Sequence, residues 1–356
     1  MSETFTITVE PLGREITCRD DQTILEACLR SGVWVPHSCT HGTCATCKVE
    51  VLDGDVDHGS SSTFALMDFE RDEGKTLVCC AFPRTDVTIE ADVDVDEDIE
   101  VYPVDDYSGT VVELTDVAID TKRLIVELDR DLQFNAGQYM KFQIPSPEGT
   151  SVDRTYSMAN PPTEHRRLEF QIRNVRGGIA TDGWVFKDLK VGDKVQLSGP
   201  YGRFVLKTGN DNDVVMIAGG TGLAPIASMI KQALQNEAYE GHITLYAGGR
   251  SADWLYDVEL FRELEEEYGD QFTYRACVSE TPAEGFADGM VTDVLESDFE
   301  SLKGYQAYVC GPPLMVEAAL KSLMSRRLFP RDIFREDFFN EADKAAGGVK
   351  SPLIKR

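Results

Sequence analysis

Four cysteines within the first eighty residues have a spacing that suits an iron–sulfur cluster. Cys39, Cys44 and Cys47 follow the pattern C-x4-C-x2-C, and Cys79 lies in TLVCCAFP with thirty-one residues between it and Cys47. A plant-type 2Fe-2S cluster is held by four thiolates at this spacing. A tight loop supplies three of them, and we expect a distant strand to supply the fourth. Gly42 allows the loop backbone to fold close around the sulfides, so that N–H groups can donate to sulfur.

Other uses of these cysteines fit the spacing less well. A Rieske centre needs two histidine ligands, and although His41 completes one C-x-H pair, no C-x2-H follows. Zinc sites favour paired C-x2-C units, and the loop has one such unit. A redox-active dithiol in that unit would leave Cys39 and Cys79 without a role. We therefore expect His37 and His41 to be loop residues rather than ligands.

A second group of residues could hold a flavin nucleotide. In DRTYSMAN, Arg154, Tyr156 and Ser157 place a cation, an aromatic ring and a hydroxyl along the end of one predicted strand. An arginine can bind a pyrophosphate through two hydrogen bonds, the tyrosine can stack on a flavin ring, and the serine can reach its reactive nitrogen. The segment RGGIAT adds Gly177, Gly178 and Thr181. These open a short predicted helix, TDGWVFKDL, whose N-terminal N–H groups suit a phosphate. An ordinary strand and a simple turn are the alternatives.

Two turns in the last third of the chain suit a dinucleotide. The segment AGGTGLAP follows a predicted buried strand and opens a helix, so a pyrophosphate can approach its backbone closely. Its residues are Gly219, Gly220, Thr221, Gly222 and Pro225. The segment CGPPLM, with Cys310, Gly311 and Pro312, ends a later strand, where ligands bind in open α/β sheets. A buried structural thiol is the alternative interpretation of Cys310, but its position beside the Gly-Pro-Pro turn favours a place near a nicotinamide.

The periodicity of apolar residues predicts three folded segments. Residues 1–91 form strands around one helix and predict a small α+β fold of the β-grasp kind. Residues 101–207 contain short strands separated by turn signals, which predict an antiparallel sheet or barrel. Residues 208–340 alternate strand and helix and predict an α/β fold with a parallel, doubly wound sheet. Residues 92–100 predict an acidic linker, and residues 341–356 predict a flexible tail.

Composition and charge limit the classes of function. The chain has 356 residues, and its formal net charge is −27. This length suits two or three domains, and so negative a surface would be repelled by nucleic acid and by anionic membranes. MSETFTITVE has no secretory pattern, and no apolar run is long enough to span a membrane. With nine cysteines, an odd number, these features predict a cytoplasmic protein that uses reduced thiols or metal ligands.

The motifs, in their order, resemble those of one family. The series C-x4-C-x2-C…C, R-x-Y-S, G-G-T-G-x-A-P and C-G-P-P-x-M is similar to that of the reductase components of bacterial multicomponent oxygenases. It looks most like the reductases of phenol hydroxylase and related soluble di-iron monooxygenases, and the resemblance covers residues 1–340. It implies a β-grasp ferredoxin domain with a 2Fe-2S cluster, an antiparallel Greek-key β-barrel that binds FAD, and an NADH-binding domain like that of ferredoxin–NADP reductases.

The resemblance also implies roles for single residues. Cys79, rather than the adjacent Cys80, would be the fourth cluster ligand, since neighbouring side chains on a strand point to opposite faces. Glu336 and Phe338 of EDFF would return to the flavin face, with Phe339 as the alternative to Phe338. Resembling NADPH enzymes end the third strand of the nucleotide domain in Ser-Arg. Here that strand ends in Ser-Glu, and Glu280 predicts a preference for NADH.

The implied reaction moves electrons from NADH through FAD and the 2Fe-2S cluster to the di-iron hydroxylase component of an oxygenase. Cofactors carry such chemistry, while the protein binds and orients them. Cys310, Ser157 and Tyr156 are therefore expected to position the reactants. One alternative is the same reductase chemistry for a ring-hydroxylating dioxygenase or another acceptor. A second, of a different class, is a redox sensor that only holds a cluster. The intact GGTGLAP and CGPP segments argue against the sensor.

Overall fold

The computed structural model describes residues 2–93, 99–146, 149–207, 209, 212–236 and 239–338. The chain divides into two units, residues 1–105 and 106–356. Most of the predicted acidic linker, the predicted tail and Phe339 lie outside the described residues.

The first unit is built on a five-stranded mixed sheet, as the alternation of its apolar residues predicts. Its strands are β1 Thr4–Glu10, β2 Arg14–Arg19, β3 Lys48–Asp53, β4 Val56–Asp57, β5 Lys75–Leu77, β6 Phe82–Pro83 and β7 Val87–Glu90. The sheet order is β2-β1-β7-β3-β5, with β4 and β6 as a separate pair. The first and last strands, β1 and β7, run parallel to each other within the sheet. This is the arrangement of the predicted β-grasp fold.

Two helices complete the first unit: α1 Ile24–Arg30 and α2 Asp68–Asp72. The Thr23 side chain accepts a hydrogen bond from the Glu26 N–H and so caps α1. The apolar face of α1 is buried, and α2 has no buried residue. Val104 donates its N–H to the Leu29 carbonyl. Val104 is thus bonded to the first unit, and the predicted start of the barrel segment at residue 101 stays a prediction.

The second unit begins with a six-stranded antiparallel barrel. Its elements are β8 Asp105–Ala118, β9 Thr121–Leu128, β10 Tyr139–Pro145, β11 Ser151–Ser157, β12 Arg167–Arg173, a π-helix Ile179–Asp188, and β13 Lys194–Tyr201. The order is β11-β10-β13-β8-β9-β12, in which the last strand lies between β10 and β8 as in a Greek key. A bridge between Met158 and Phe170 joins the two edge strands. The helix begins at Ile179, two residues before the predicted TDGWVFKDL.

The rest of the second unit is a parallel sheet covered by helices on both faces. Its elements are β14 Val214–Gly219, α3 Leu223–Gln235, β15 Ile243–Gly249, α4 Val258–Glu267, β16 Phe272–Val278, β17 Ala287–Asp288, α5 Val291–Asp298, β18 Gln306–Gly311, α6 Pro313–Ser325 and β19 Ile333–Asp337. The order is β17-β16-β15-β14-β18-β19. The strand β14 is buried along its whole length, which is typical of central parallel strands.

Two apolar clusters show that the parallel sheet is doubly wound. One cluster joins the sheet to α3 and α4, and the other joins its opposite face to α5 and α6. The strand order reverses between β14 and β18, so the carboxyl ends of these neighbouring strands open a crevice. Among the described residues, no helix combines the length and the apolar character needed to cross a membrane.

Candidate functional site

The cysteine loop is held by hydrogen bonds to sulfur rather than by regular secondary structure. The described segment from Cys39 to Cys47 contains no helix or strand. The Cys39 N–H donates to Cys44 Sγ at 3.4 Å, and the Thr43 N–H donates to Cys39 Sγ at 3.4 Å. Backbone donors directed at sulfur suit thiolates better than neutral thiols.

Backbone conformation in this loop is unusual for its sequence. Thr40 and Ala45 have φ angles of 57° and 61°, and Gly42 has a φ of 78°. A Cβ atom on Gly42 would lie 2.7 Å from Cys80 Sγ and 3.1 Å from the Ser61 Cα. The glycine thus lets the loop close against the turn that carries the distant cysteines, a contact that the sequence did not predict.

Cys79 lies beside Cys47 but not on a strand. The two Sγ atoms are 3.1 Å apart, and Cys79 Sγ is 3.7 Å from Cys80 Sγ. Strand β5 ends at Leu77, and the N–H groups of Cys80 and Ala81 both donate to the Leu77 carbonyl. The expectation that a strand directs the two cysteines to opposite faces is therefore wrong, because this segment is a turn. Proximity to Cys47 is what distinguishes Cys79.

The thiols of this site differ in pKa because their neighbours differ. Burial raises the pKa of Cys39, but the N–H groups of His41 and Thr43 outweigh it and lower that pKa to about 6. The hydrogen bond between Cys47 and Cys79 lowers the pKa of Cys47 and raises that of Cys79. Two thiols so close cannot both lose their protons easily unless a cation balances the charge.

The four thiols fit a two-iron cluster as two pairs. Among the described residues, no group of three or more His, Cys, Asp or Glu side chains is arranged to hold a single metal ion. A 2Fe-2S cluster places only two protein thiolates on each iron. Cys39 and Cys44 share a loop hydrogen bond, while Cys47 and Cys79 are in direct contact. The donor set and its pairing are thus compatible with such a cluster.

The barrel brings an aromatic and polar group to the end of β11. Ser157 is buried, and the Tyr156 ring meets the Phe142 ring edge to face at 5.5 Å. Burial raises the pKa of Tyr156 to about 12. Tyr139 stands opposite Ser157 in the ladder. Arg154 is exposed, and its guanidinium donates to the Asp153 carbonyl at 2.8 Å, so it reaches solvent where an anion can approach.

The predicted phosphate turn is occupied by protein groups. The Gly177 N–H donates to the Asp182 carboxylate at 3.0 Å. The Thr181 hydroxyl accepts from the Val175 N–H at 3.0 Å. A Cβ on Gly178 would lie 2.9 Å from Thr181 Oγ1. An incoming phosphate would have to replace Asp182, a residue that sequence reasoning did not single out.

The two predicted dinucleotide turns meet at the carboxyl edge of the parallel sheet. Gly219 ends β14, and residues Gly220–Gly222 form a single 3-10 turn before α3. A Cβ on Gly222 would lie 2.3 Å from the Cys310 carbonyl oxygen, and one on Gly311 would lie 2.9 Å from the Gly219 carbonyl oxygen. Glycine is therefore required at both crossing points. Thr221 lies within the turn, Pro225 lies in the first turn of α3, and Pro312 precedes α6.

Cys310 and Glu336 are neighbours beneath this edge. They are paired in the parallel ladder of β18 and β19, and Cys310 is completely buried. Glu336 Oε2 is buried without a hydrogen-bond partner among the described residues. Burial, and then the Asp337 charge, raise the pKa of Glu336 to about 7. An orphaned carboxyl oxygen at a ligand edge suits a polar ligand group.

A strand of the barrel lies close to the carboxyl edge of the parallel sheet. Burial, followed by the nearby Glu336 carboxyl, raises the pKa of Tyr139, which places β10 of the barrel close to β19. Tyr139 also stacks on Tyr201 with ring centroids 5.7 Å apart. The Phe338 N–H donates to the Gly311 carbonyl at 3.0 Å. Elements that are far apart in sequence thus meet at this edge, and Tyr139 was missed because tyrosine in a strand gives no distinctive signal.

Glu280 lies at the same edge, two strands from Gly219. It follows β16, and its carboxylate is 3.8 Å from the Arg250 guanidinium, with both side chains largely exposed. The Glu280 N–H donates to the Arg250 carbonyl at 2.9 Å. The carboxylate that would repel a 2′-phosphate therefore has a cation as its neighbour.

A half-buried ionic network joins the barrel to the dinucleotide turn. Arg123 of β9 binds Glu169 of β12 at 2.9 Å and also pairs with Asp257, whose φ is 56°. The adjacent Tyr256 donates its hydroxyl to the Gly220 carbonyl at 2.9 Å. Sequence reasoning did not find this network, because an arginine and an aspartate so far apart in the chain give no local pattern.

Comparison with known families assigns all three segments. Residues 7–84 match a 2Fe-2S iron-sulfur cluster binding domain, residues 108–206 an oxidoreductase FAD-binding domain, and residues 216–321 an oxidoreductase NAD-binding domain. These domains define the chain as an iron–sulfur flavoprotein oxidoreductase, which confirms the predicted cofactors and the predicted fold class.

Similar proteins extend over nearly the whole chain. The reductase component of phenol 2-monooxygenase from Pseudomonas sp. (strain CF600) is 46% identical over 99% of both chains. The reductase subunit of an aromatic O-demethylase from Amycolatopsis sp. is 41% identical over 94% of this chain and 98% of the relative. A crystal structure of an Amycolatopsis cytochrome P450 reductase superposes with a TM-score of 0.84 at 40% identity, covering 94% of this chain and 99% of the other. The chain belongs to the family of oxygenase reductase components, and the predicted resemblance is confirmed.

Proposed function

We propose that this chain is the NADH-dependent reductase of a phenol hydroxylase-type monooxygenase and delivers electrons to its di-iron hydroxylase component. The observation that carries the proposal is the 46% identity to a phenol 2-monooxygenase reductase component over 99% of both chains. A phenol hydroxylase protein from Acinetobacter pittii (strain PHEA-2) is 44% identical over the same share of the chains. All nine cysteines are free thiols in the structure, which supports a place in the reducing cytoplasm.

The roles of the cofactor-binding residues are part of the proposal. When bound, FAD would supply the chemistry that links a two-electron hydride donor to a one-electron carrier such as the 2Fe-2S cluster. Cys39, Cys44, Cys47 and Cys79 would hold the cluster. Arg154 would bind the flavin pyrophosphate. The other residues proposed to bind FAD or NADH are Tyr156, Ser157, Gly177, Gly178, Thr181, Gly219, Gly220, Thr221, Gly222, Pro225, Glu280, Gly311 and Pro312.

The residues at the sheet edge would position the reacting rings. Ser157 and Tyr156 come from the barrel and Cys310 from β18, so hydride donor and acceptor would meet between the two parts of the second unit. Glu336 supplies a carboxyl with one oxygen that has no partner among the described residues, and Phe338 follows it next to Gly311. Cys310 is completely buried, so it would contribute an apolar, water-free side to the location of the transfer.

Phenol-dependent turnover tests the proposal directly. The purified chain is combined with the oxygenase of the Pseudomonas phenol 2-monooxygenase system, and NADH consumption is followed with and without phenol. We expect phenol-dependent consumption with matching product, and bleaching of the flavin absorbance by NADH alone. If NADH bleaches the flavin but the chain supports only the aromatic O-demethylase system, the chain serves a different acceptor. If NADH does not bleach the flavin, the chain is a redox sensor.

A further inference from the structure

A fifth cysteine lies among the four that are proposed to hold the cluster. Cys80 is 4% exposed, and its Sγ is 3.7 Å from Cys79 Sγ. A Cβ atom on Gly42 would lie 2.7 Å from the same sulfur, so Cys80 also packs against the loop between Cys39 and Cys44. A plant-type 2Fe-2S cluster takes four thiolates, and the proposed ligand set therefore leaves this buried thiol without a role.

The contact between Cys79 and Cys80 has one possible donor when the cluster is bound. In the chain without a cluster, either sulfur can donate to the other. A cysteine that binds iron does so as a thiolate, which has no proton to give. Cys80 is outside the proposed ligand set and supplies the S–H group, and a thiol is a weak but real hydrogen-bond donor. The contact thus becomes a hydrogen bond from Cys80 to the ligand sulfur.

Ser60 donates in turn to Cys80. Its hydroxyl is 3.8 Å from Cys80 Sγ. The backbone before Ser60 packs against the same residue, since a Cβ on Gly59 would lie 2.3 Å from the Cys80 carbonyl oxygen. The Gly59 N–H donates to the Asp57 carboxylate at 2.9 Å and so holds this turn. Hydroxyl, thiol and ligand sulfur form a chain, in which the bond that Cys80 accepts strengthens the bond that it donates.

This chain differs in origin from the hydrogen bonds to the loop sulfurs. Cys44 Sγ and Cys39 Sγ accept from the backbone N–H groups of Cys39 and Thr43, which any residue except proline supplies. The donor to Cys79 is a side chain, so this bond depends on the residue type at position 80. Hydrogen bonds to cluster sulfurs help to set the reduction potential. Reduction adds negative charge, and a donor stabilises the more negative state more strongly.

We propose that Cys80, supported by Ser60, raises the reduction potential of the 2Fe-2S cluster by donating a hydrogen bond to the Cys79 thiolate. Cys80 is a positioning residue in this role, because it acts on the cluster only through Cys79. A higher cluster potential favours the passage of electrons from the flavin to the cluster. The assignment of Cys79 as a ligand is the one respect in which this inference rests on the proposed function.

A redox titration of the full chain with both cofactors bound tests this role. The cluster is followed by the EPR signal of its reduced form, and the flavin by its absorbance. In Cys80→Ala we expect the ratio of reduced to oxidised cluster at a fixed solution potential to fall about fivefold, which is typical of losing one hydrogen bond. For a one-electron couple this is a fall of about 40 mV, at about 59 mV per factor of ten. The flavin potential should not change.

Three further variants separate the hydrogen bond from packing. Cys80→Ser keeps a donor at the same position and should restore most of the potential. Ser60→Ala removes the donor to Cys80 and should lower the potential by less than Cys80→Ala does. Cys28→Ala is the matched control, since it truncates a completely buried cysteine on α1 of the same unit, and it should leave the potential unchanged.

The direction of the shift distinguishes a lost hydrogen bond from a cavity. Water entering a cavity at position 80 would raise the potential, because water stabilises the more negative, reduced cluster. The proposal is overturned by an unchanged or raised potential in Cys80→Ala, by an equal fall in Cys28→Ala, or by no recovery in Cys80→Ser. If Cys80→Ala does not bind the cluster, Ser60→Ala decides, and a native potential in that variant overturns the proposal.

Failure of the ligand assignment would look different. Loss of the cluster absorbance in Cys80→Ser, together with its retention in Cys79→Ser, would show that Cys80 is the ligand. That result overturns both the assignment made under the proposed function and the inference drawn from it. An unchanged potential in Cys80→Ala with the absorbance retained overturns the inference alone.

Discussion

Cys79 and Cys80 are adjacent thiols with different neighbours, and this difference predicts which one binds iron. Cys79 Sγ lies 3.1 Å from Cys47 Sγ, whereas Cys80 Sγ lies against Gly42 and the Ser60 hydroxyl. We expect Cys79→Ser to lose the visible absorbance of the cluster and Cys80→Ser to keep it. Loss of the absorbance in Cys80→Ser together with its retention in Cys79→Ser would reverse the assignment.

The raised pKa of Glu336 makes stability depend on pH. Its pKa is raised from an ordinary value of 4.5 to about 7 in the folded chain. The folded state therefore favours the neutral carboxyl, and this contribution is complete below pH 4.5 and disappears as the pH rises through 7. At about 1.4 kcal/mol per pKa unit, the change is roughly 3 kcal/mol.

Glu336→Gln should remove this dependence. The free energy of unfolding of the flavin-free protein is measured by denaturant titration between about pH 4.5 and about pH 8, a range that spans both pKa values. The native chain should lose stability relative to the variant over that range, by roughly 3 kcal/mol. Parallel curves for the two proteins would show that another group is responsible.

Nucleotide preference is also decided by single residues. Glu280 would repel a 2′-phosphate and can accept a hydrogen bond from a free ribose hydroxyl. Arg250 is paired with Glu280 at 3.8 Å, which reduces its availability for a phosphate. We expect kcat/KM to favour NADH by about a hundredfold with ferricyanide as acceptor, equivalent to a few kcal/mol.

Glu280→Arg should narrow that preference by improving kcat/KM for NADPH. Equal efficiencies in the native chain, or no improvement for NADPH in the variant, would remove the role assigned to this carboxylate. Ferricyanide is suitable because its reduction does not require the oxygenase.

The single residues that sequence could predict are those with local spacing. Four cysteines at the plant-type spacing predict a 2Fe-2S cluster without any knowledge of the rest of the fold. The glycines mark sites where two backbone segments cross. Tyr139, Asp182 and Tyr256 could not be found in this way. Each acts through a neighbour that its local sequence does not reveal, and each is an ordinary residue in its own segment.

At the scale of elements, the connection between the barrel and the dinucleotide turn leads to a prediction. The Tyr256 hydroxyl holds the Gly220 carbonyl, and the neighbouring Asp257 is fixed by Arg123 of the barrel. Tyr256→Phe removes one hydrogen bond, worth about 1 kcal/mol, so KM for NADH should rise about fivefold. Flavin content and kcat should be nearly unchanged.

Tyr246→Phe is the matched control, since its hydroxyl donates to Asp298 at 2.8 Å on the opposite face of the sheet. KM for NADH should not change in this variant. A similar rise in both variants would mean that the effect is general destabilisation rather than positioning of the turn.

The elements that sequence predicts well are those with long, regular periodicity. The alternating strands of the barrel and the βα units were found because each buries one face over many residues. The helix α2 and the strand β19 were not predicted, since about five residues are too few to show a period. At Cys79 the sequence predicts a strand, because its apolar residues continue the pattern of β5, whereas the structure has a turn.

At the scale of the whole molecule, the division into two units predicts that flavin and cluster functions can be separated. The unit boundary falls near residue 105, and the FAD and NAD domain matches lie entirely beyond it. Removing residues 1–100 should leave a flavoprotein that oxidises NADH with ferricyanide. It should no longer reduce cytochrome c efficiently or support an oxygenase. Failure of the shortened protein to bind FAD would contradict this division.

The left-handed backbone at Thr40 and Ala45 has a consequence for how the protein matures. A residue with a side chain in this conformation costs roughly 1–2 kcal/mol, and both lie in the loop that carries three of the four cluster thiols. The loop contains no helix or strand, and within it the N–H groups of Cys39 and Thr43 donate to sulfur, so its stability depends on the thiols that would hold the cluster. Metal binding supplies free energy that can offset such a cost. We therefore expect the first unit to be completed only when the cluster assembles, because the loop closes around the thiols that would hold it.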